Sequence, residues 1–339
     1  MRFHKDILRL NAEREVERAA EFIRDRLTRS KKDGLVVGLS GGVDSAVAAA
    51  LCVRSVGKER VSGLVLPEKE SDPASLSLAR DQAVRLGIRS QVADITRALH
   101  GAGAYLSRDR AIKKIDPAHE PGDKIKISLP PDLLALDSYN FYTLTVERGR
   151  GRRTSIRLTR DVLRAITAAT NMKQRMRMLY LYHAAEAGNR LVCGTTNKTE
   201  YALGFLVKHG DGGVDIEPCR HLYKTQIYQL AEELDILEAI KRRIPTPDTF
   251  SLSVSDEEFY FRIPYAQLDL LLYAWEHRVP VRAVGAVMGL EKDQVDRAFR
   301  DFSAKHRLTA HLRSLPDALE PGFSRVGRGR TSASPRGGK

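Results

Sequence analysis

The sequence predicts an α/β fold: a doubly wound parallel sheet with a helical C-terminal part. Three observations carry that expectation. Short apolar, β-branched runs such as Leu35-Val36-Val37-Gly38-Leu39 alternate with helical stretches, the order that crossover connections between parallel strands impose. The glycine-rich turn Ser40-Gly41-Gly42-Val43-Asp44-Ser45 joins the first such run to a small-residue helix, and Gly194-Thr195 follows another run. Both turns therefore fall beyond strand carboxyl ends, where ligands of such folds sit. Composition agrees, since 339 residues with 42% hydrophobic and 29% charged side chains are enough for one large core.

Residues 1–33 place Ile7, Leu10, Val16, Ile23 and Leu27 among charges, the spacing of an amphipathic helix, without the unbroken apolar core of a signal peptide. A strand over residues 35–39 follows, then a helix over 46–53, a strand over 61–66, a helix over 76–86 closed by Gly87, and a strand over 91–95. A long helix spans about 159–187 and stops at Gly188-Asn189, and residues 191–194 form the fourth strand. These elements make an α/β domain over residues 34–254, interrupted at about 101–158. The interruption carries Pro117, Pro121, Pro130 and Pro131 and ends in two strand-like runs, 139–146 and 154–158, around Gly-Arg-Gly, a β-hairpin with a basic tip. Helices take over from 255 to about 320. Ser255-Asp256-Glu257-Glu258 has capping-box spacing, residues 268–275 are an apolar helix, and 281–290 pairs with 292–302 around Gly289. Helix–turn–helix DNA readers look similar, but the second helix sets Gln294, Arg297 and Arg300 beside Asp293, Asp296 and Asp301, which favours ordinary packing.

Net charge is +13 and the sequence pI near 9.7, a balance that suits a polyanion, either nucleic acid or a phosphate-rich small molecule. Residues 321–339 read as a disordered tail, with Arg325, Arg328, Arg330, Arg336 and Lys339 among Gly, Ser and Pro, and a second basic cluster spans 148–164. A solvated tail is the simpler reading and nucleic-acid contact its rival; only 6% of residues are aromatic, which offers little surface for stacking bases. Cys52, Cys193 and Cys219 are odd in number and far apart, with neither disulfide-framework nor zinc-ligand spacing. No apolar run approaches the ~18 residues that span a bilayer. A soluble cytoplasmic protein with no membrane partner is expected.

Within the turn at residues 40–45, Gly41 and Gly42 let the backbone approach a polyphosphate, and successive N–H groups form an anion nest. The helix N-terminus at Val43 adds partial positive charge. Ser40 and Ser45 can donate hydroxyl hydrogen bonds, while Asp44 can hold a magnesium ion on the same phosphates. The Lys-Ser/Thr of a Walker A loop is missing, which argues against a kinase or γ-phosphate hydrolase. The turn is similar instead to the loop of ATP pyrophosphatases, a resemblance that implies a grip on the β- and γ-phosphates as a leaving group while the α-phosphate is attacked. The bland alternative, a turn that only reverses the chain, is weakened by the succession of strand, turn and small-residue helix.

This turn resembles the loop of the ATP pyrophosphatase (PP-loop) superfamily, whose fold is adenine nucleotide alpha hydrolase-like. Later segments narrow the resemblance to ammonia-dependent NAD⁺ synthases. Asn171-Met172-Lys173-Gln174-Arg175-Met176-Arg177-Met178 looks like that family's N-x-K-x-R-x-R-M helix, and Gly194-Thr195-Thr196-Asn197-Lys198-Thr199-Glu200 like its G-T-x-x-x-x-E segment. Lys208-His209-Gly210-Asp211-Gly212-Gly213 is similar to its K-x-G-D-G-G loop, Lys224 follows the turn at Pro218, and Pro245-Thr246-Pro247-Asp248 is similar to its P-T-x-D segment. The resemblance covers roughly residues 35–95 and 159–313. It implies that Asp44 and Glu200 hold magnesium; that Ser40, Gly41, Gly42, Val43, Asp44, Ser45, Arg175, Thr195, Lys224 and Thr246 bind ATP; and that Asn171, Lys208, Asp211 and His311 contact the acid substrate, with Asp44 and Lys224 central to catalysis. Singly, each has a bland reading: a solvated helix face for residues 171–177, surface carboxylates for Glu200 and Asp211, loop solvation for Lys224 and Thr246. Their common order along the chain outweighs those readings.

The implied reaction is a two-step amide synthesis. The carboxylate of nicotinic acid adenine dinucleotide attacks the α-phosphorus of ATP, pyrophosphate leaves, and ammonia displaces AMP to give NAD⁺. Positioning and charge neutralisation carry such chemistry, so none of the cysteines needs a role. About thirty residues precede the first strand, too few for an amidase domain, and none of them is a cysteine suited to a glutaminase. Free ammonia, or ammonia from a separate amidase, is expected, and a homodimer is the family-level expectation. Two departures stand out. The family's C-terminal His-Lys pair reads His311-Leu312-Arg313, with leucine at the lysine position and Arg313 as the neighbouring cation. Residues 101–158 also exceed the family's connector and suit a lid, a dimer-contact hairpin, a device selecting another acid, or a dispensable insertion. A related amide or thio-transfer ligase for a different acid, and a nucleic-acid-binding regulator on the same fold, are the alternatives.

Overall fold

The computed structural model describes residues 3–135, 141–149, 151–317 and 319. Helix α1 (Ala12–Ser30) begins where the Asn11 side chain accepts the N–H of Arg14 at 2.9 Å, so Ile7 and Leu10, expected inside it, precede it. Strand β1 (Gly34–Gly38) leads into α2 (Val43–Val56), β2 (Val61–Val65) into α3 (Pro73–Leu86), and β3 (Arg89–Val92) into α4 (Thr96–Gly101) and α5 (Ala104–Lys113). Strands β4 (Lys124–Ser128), β5 (Thr143–Arg148) and β6 (Arg152–Arg157) precede the long α6 (Arg160–Ala187), β7 (Arg190–Cys193), α7 (Lys198–Leu203), α8 (Lys224–Glu233) and α9 (Glu238–Lys241). A π-helical turn (Glu257–Phe261), α10 (Tyr265–Glu276), α11 (Val281–Met288), α12 (Lys292–Leu308) and α13 (Ala310–Arg313) follow.

The main sheet is parallel throughout, in the order β3-β2-β1-β7. On one face α1, α2 and α8 pack Ile23, Leu51 and Leu230 against Leu35 and Val37. On the other, α4 and α6 bring Leu99 and Leu181 against Val36, Leu64 and Val192. Neighbouring residues of β1 thus bury into opposite layers, which is why the run reads as continuously apolar. From β1 the chain moves through β2 and β3 on one side, and β7 closes the other side. The carboxyl ends of β1 and β7 flank the point where the winding reverses, the crevice in which doubly wound sheets bind ligands.

Strand β3 lies two residues earlier than expected. It is the sheet edge, all four of its residues are exposed, and the apolar signal belonged to Ile95, which leaves the sheet to pack beside α4. The interruption also holds more order than a hairpin. Strands β5 and β6 are that hairpin, its expected residues 139, 140 and 150 lying outside the described ones, and β4 adds an antiparallel third strand in the order β4-β5-β6. Ile125, Ile127, Leu144 and Val146 seal this small sheet against α5 and α6. In the C-terminal part, Val284, Val295, Ala298 and Phe302 of α11 and α12 pack with Leu268 and Leu272. Gln294 and Arg297 donate to the carbonyls of Leu133 and Leu134, so two side chains that a DNA reader would use hold this chain's own backbone. The basic residues 321–339 lie outside the described residues, and among the described ones no helix is long and apolar enough to cross a membrane.

Candidate active site

A cavity of about 670 Å³ opens over the β1–β7 crevice, lined by the glycine-rich turn, α6, the segments after β7 and the Pro245–Asp248 segment. The turn has its shape for steric reasons. Gly41 sits at φ +75°, and a Cβ there would lie 2.4 Å from the Ser75 carbonyl oxygen, so the loop is pressed against the start of α3 with no room for a side chain. Ser40 Oγ and Ser45 Oγ are 3.0 Å apart and Ser45 Oγ donates to the Gly42 carbonyl, so the two hydroxyls brace the loop itself. Gly42 caps α2 without a side-chain partner, which leaves the first N–H groups of that helix facing the crevice.

Asp44, in the first turn of α2, meets Lys224 at the start of α8. The Lys224 Nζ lies 2.5 Å from Asp44 Oδ2 and 3.9 Å from Glu200 Oε1, and Asn197 Nδ2 donates to Asp44 Oδ1 at 2.9 Å. Asn197 and Glu200 form a reciprocal capping box at the start of α7, which fixes the Glu200 side chain against the sheet end. Burial, and then the Asp44 carboxylate, push the Glu200 carboxyl well above the ordinary range despite Lys224. Burial works against the Lys224 ammonium, but Asp44, Glu200 and Asp256 outweigh it and hold the group charged. Asp256 is buried, its Oδ2 accepts the Tyr265 hydroxyl at 2.9 Å, and burial lifts it to about 6.

For a divalent cation, Asp44 and Glu200 supply hard oxygen donors of the right kind. Among the described residues no three His, Cys, Asp or Glu stand together as a complete metal set, so these two carboxylates do not by themselves complete a metal centre. The Asp256 Oδ1 is buried with no hydrogen-bond partner, a further sign that this corner of the cavity favours positive charge.

The other expected residues divide. Asn171, Arg175, Thr195, Lys208, Asp211 and Thr246 all line the cavity. Arg175 Nε donates to the Lys208 carbonyl at 3.3 Å, while Lys208 Nζ reaches the His311 carbonyl at 2.9 Å. Asp211 is exposed at its loop and accepts the Val207 N–H at 2.7 Å. His311 is not brought in: its side chain is exposed, and Leu312, at the neighbouring position, lines the cavity instead. Arg313 does not replace the missing lysine, because its guanidinium donates to the Tyr201 and His306 carbonyls and to Thr309.

Sequence reasoning missed several members. Arg243 donates to the Gly41 carbonyl at 3.4 Å, to Asp72 and to Ser75, and so pins the back of the glycine turn. Fully buried Asp269 on α10 accepts the Thr199 hydroxyl and the Thr225 N–H. Asn197 had a readable signal, the N-x-x-E capping pattern with Glu200; Arg243 ends the basic run Lys241-Arg242-Arg243 just past α9 and Asp269 is a lone charge in an apolar helix, and neither has one.

A family model described as NAD synthase matches residues 15–116 and 154–316. The chain belongs to the NAD synthase family. An NH₃-dependent NAD⁺ synthetase of Mesorhizobium japonicum is 42% identical over 311 residues, covering 91% of this chain and 97% of that one. Among solved structures, the NMN synthetase of Francisella tularensis aligns with a TM-score of 0.62 at 22% identity, over 93% of this chain and all of that one. The NH₃-dependent NAD synthetase of Campylobacter jejuni aligns with a TM-score of 0.60 at 23% identity, over 92% and 100%. At those identities the two structures bear on the fold, which this NAD synthase family member shares. The family model skips residues 117–153, which contain β4, β5 and most of the hairpin tip.

Proposed function

We propose that this chain is an ammonia-dependent NAD⁺ synthase. It uses ATP to adenylate the nicotinate carboxylate of nicotinic acid adenine dinucleotide and ammonia to replace AMP. The observation that carries this reading is the Lys224 ammonium between Asp44, on the phosphate turn, and Glu200, in the first turn of α7. The free N–H groups at the start of α2 face the departing pyrophosphate, and Lys224 adds a buried positive charge beside it. Asp44 and Glu200 would hold magnesium, which when bound neutralises the charge that builds on pyrophosphate. Asn171, Lys208 and Asp211 border the space left for the acid, and Arg175 and Thr195 that left for ATP. In the first step a carboxylate oxygen bonds to the α-phosphorus as the bond to pyrophosphate breaks. In the second, nitrogen bonds to the acyl carbon, AMP leaves with the bonding pair, and the nitrogen sheds its extra proton. No side-chain nucleophile takes part. Ammonia, free or from a separate amidase, and a homodimeric assembly belong to the same proposal.

The experiment supplies purified protein with ATP, magnesium, ammonium and nicotinic acid adenine dinucleotide. NAD⁺, AMP and pyrophosphate are expected in equal amounts, and Asp44→Ala abolishes all three. Leu312 in the cavity wall gives weight to a second reading, a ligase of the same chemistry for another acid. Pyrophosphate release that needs an acid other than the dinucleotide would favour it.

A further inference from the structure

Resting on the ligase reading, we infer that the inserted sheet forms part of the acid subsite, with Tyr142 as a specificity-determining residue for a planar heteroaromatic ring. The cavity continues past the glycine turn and α6 to Ile127 and Tyr142, which lie in the stretch the family model skips. There it becomes aromatic. The rings of Tyr142 and Phe259 stand 6.4 Å apart, Phe250 and Phe259 5.5 Å, Phe205 and Phe259 6.0 Å, and Phe205 and Tyr260 5.0 Å. Tyr142, Phe205, Phe259 and Tyr260 are half-buried and all line the cavity, so these rings pack on one another yet keep surface toward the space. Offset and tilted aromatic faces of this kind suit a flat, weakly polar ring.

The ring belongs to the acid for a topological reason. Leu64, Val65, Leu66 and Pro67, at the end of β2, line the cavity beside the glycine turn and offer a shoulder to the nucleoside attached to the gripped phosphates. The aromatic end begins instead at Phe205, just after α7 with its Glu200, and next to the loop bearing Lys208 and Asp211.

The wall is also held in place. Arg148 of β5 pairs with Asp116 and, at 3.1 Å, with Asp123; His119 stands 3.2 Å from Asp123 and 3.3 Å from Asp109. Asp109 meets Arg108, Arg108 meets Glu70 at 2.6 Å, and Glu70 meets Lys173 of α6 at 2.7 Å. A line of close polar and charged side chains, running through His119, thus ties the inserted sheet to the helix that presents Asn171 and Arg175. A dispensable insertion has no need of such a line.

The test compares wild type, Tyr142→Ala and Tyr142→Phe by steady-state kinetics, with melting temperature as the folding control. Tyr142→Ala is expected to raise KM for nicotinic acid adenine dinucleotide about tenfold, while KM for ATP stays within about twofold, and Tyr142→Phe, which keeps the ring, restores the wild-type value. A folded Tyr142→Ala with unchanged dinucleotide KM would overturn the inference, and so would a rise in the ATP KM alone or in both equally. If wild type itself makes no NAD⁺, the ligase reading fails and this one with it; an active wild type beside an indifferent Tyr142→Ala removes only the wall.

Discussion

The Thr199 hydroxyl donates to Asp269 Oδ1 at 2.6 Å, and the same hydroxyl oxygen accepts the Lys224 N–H at 3.1 Å. One buried carboxylate on α10 thereby sets the start of α8, since its second oxygen takes the Thr225 N–H at 2.7 Å. Thr199 is also the residue before Glu200. Asp269→Leu is expected to leave the Thr225 N–H and the Thr199 hydroxyl buried without their acceptor, at a cost of about 2–4 kcal/mol, and to lower kcat more than it changes either KM, because Lys224 and Glu200 lose register. Urea unfolding and steady-state kinetics check both halves. Full activity in a folded Asp269→Leu would show that α8 finds its place unaided.

Asp256 and Asp269 should give the protein an unusual response to pH. Burial lifts each carboxyl from 3.8 to about 6. The folded state therefore binds more protons than the unfolded state between those values, so stability falls as pH rises from about 4 to about 6 and stays lowered above. For Asp256 alone the loss is on the order of 3 kcal/mol. Asp256→Asn, whose amide oxygen can still accept from Tyr265, is expected to flatten that decline. Urea midpoints at pH 4.5, 5.5 and 7 should bring wild type and variant together at the lowest pH and set the variant higher at pH 7. Parallel curves would remove Asp256 as the cause.

Gly41→Ala tests the glycine turn by sterics alone. A methyl at φ +75° meets the Ser75 carbonyl oxygen, which is backbone and cannot rotate away. Either the turn or the start of α3 must shift, at a cost of roughly 2 kcal/mol or more. The KM for ATP is expected to rise by tenfold or more, while the far end of the cavity, and so binding of the dinucleotide measured by calorimetry, changes little. Equal weakening of both ligands would mean that the distortion spreads beyond the phosphates.

The glycine turn was legible because its chemistry is local: Gly41 needs its φ, and Asp44 follows directly. Glu200, Arg175 and Thr195 were legible only through the order of several motifs, since each alone is an ordinary surface residue. Strand β4 could have been read, for Lys124-Ile125-Lys126-Ile127-Ser128 alternates with a period of two. Helix α5 gave less to read. It starts from Gly103 at φ +75° with no side-chain cap, so the usual start signal is missing. Asp256 and Asp269 matter only because the fold buries them beside Lys224 and Thr199, a long-range fact that no local pattern announces. His311 is placed differently from these residues: its side chain is exposed on α13, and Leu312 lines the cavity.

Lys173 sits within the helix motif beside Asn171 and Arg175, but its role differs from theirs. Its ammonium is buried, 2.9 Å from Glu68 Oε1, 2.7 Å from Glu70 Oε2 and 2.7 Å from the Thr249 carbonyl. Glu68 in turn accepts the Tyr105 hydroxyl at 2.7 Å, so four segments meet at one cation. Removing that cation leaves the buried Glu68 carboxylate with no cation, while Glu70 keeps Arg108. Lys173→Met is therefore expected to cost about 3–5 kcal/mol, the range for breaking a buried pair from one side. Adding Glu68→Gln to it should recover most of the loss, because Glu70 keeps Arg108 and the neutral amide carries no uncompensated charge into the interior. Chemical denaturation of the single and double variants decides the matter. If the single change costs less than about 1 kcal/mol, the cluster is wet and screened, and α6 takes its rotation from apolar packing instead.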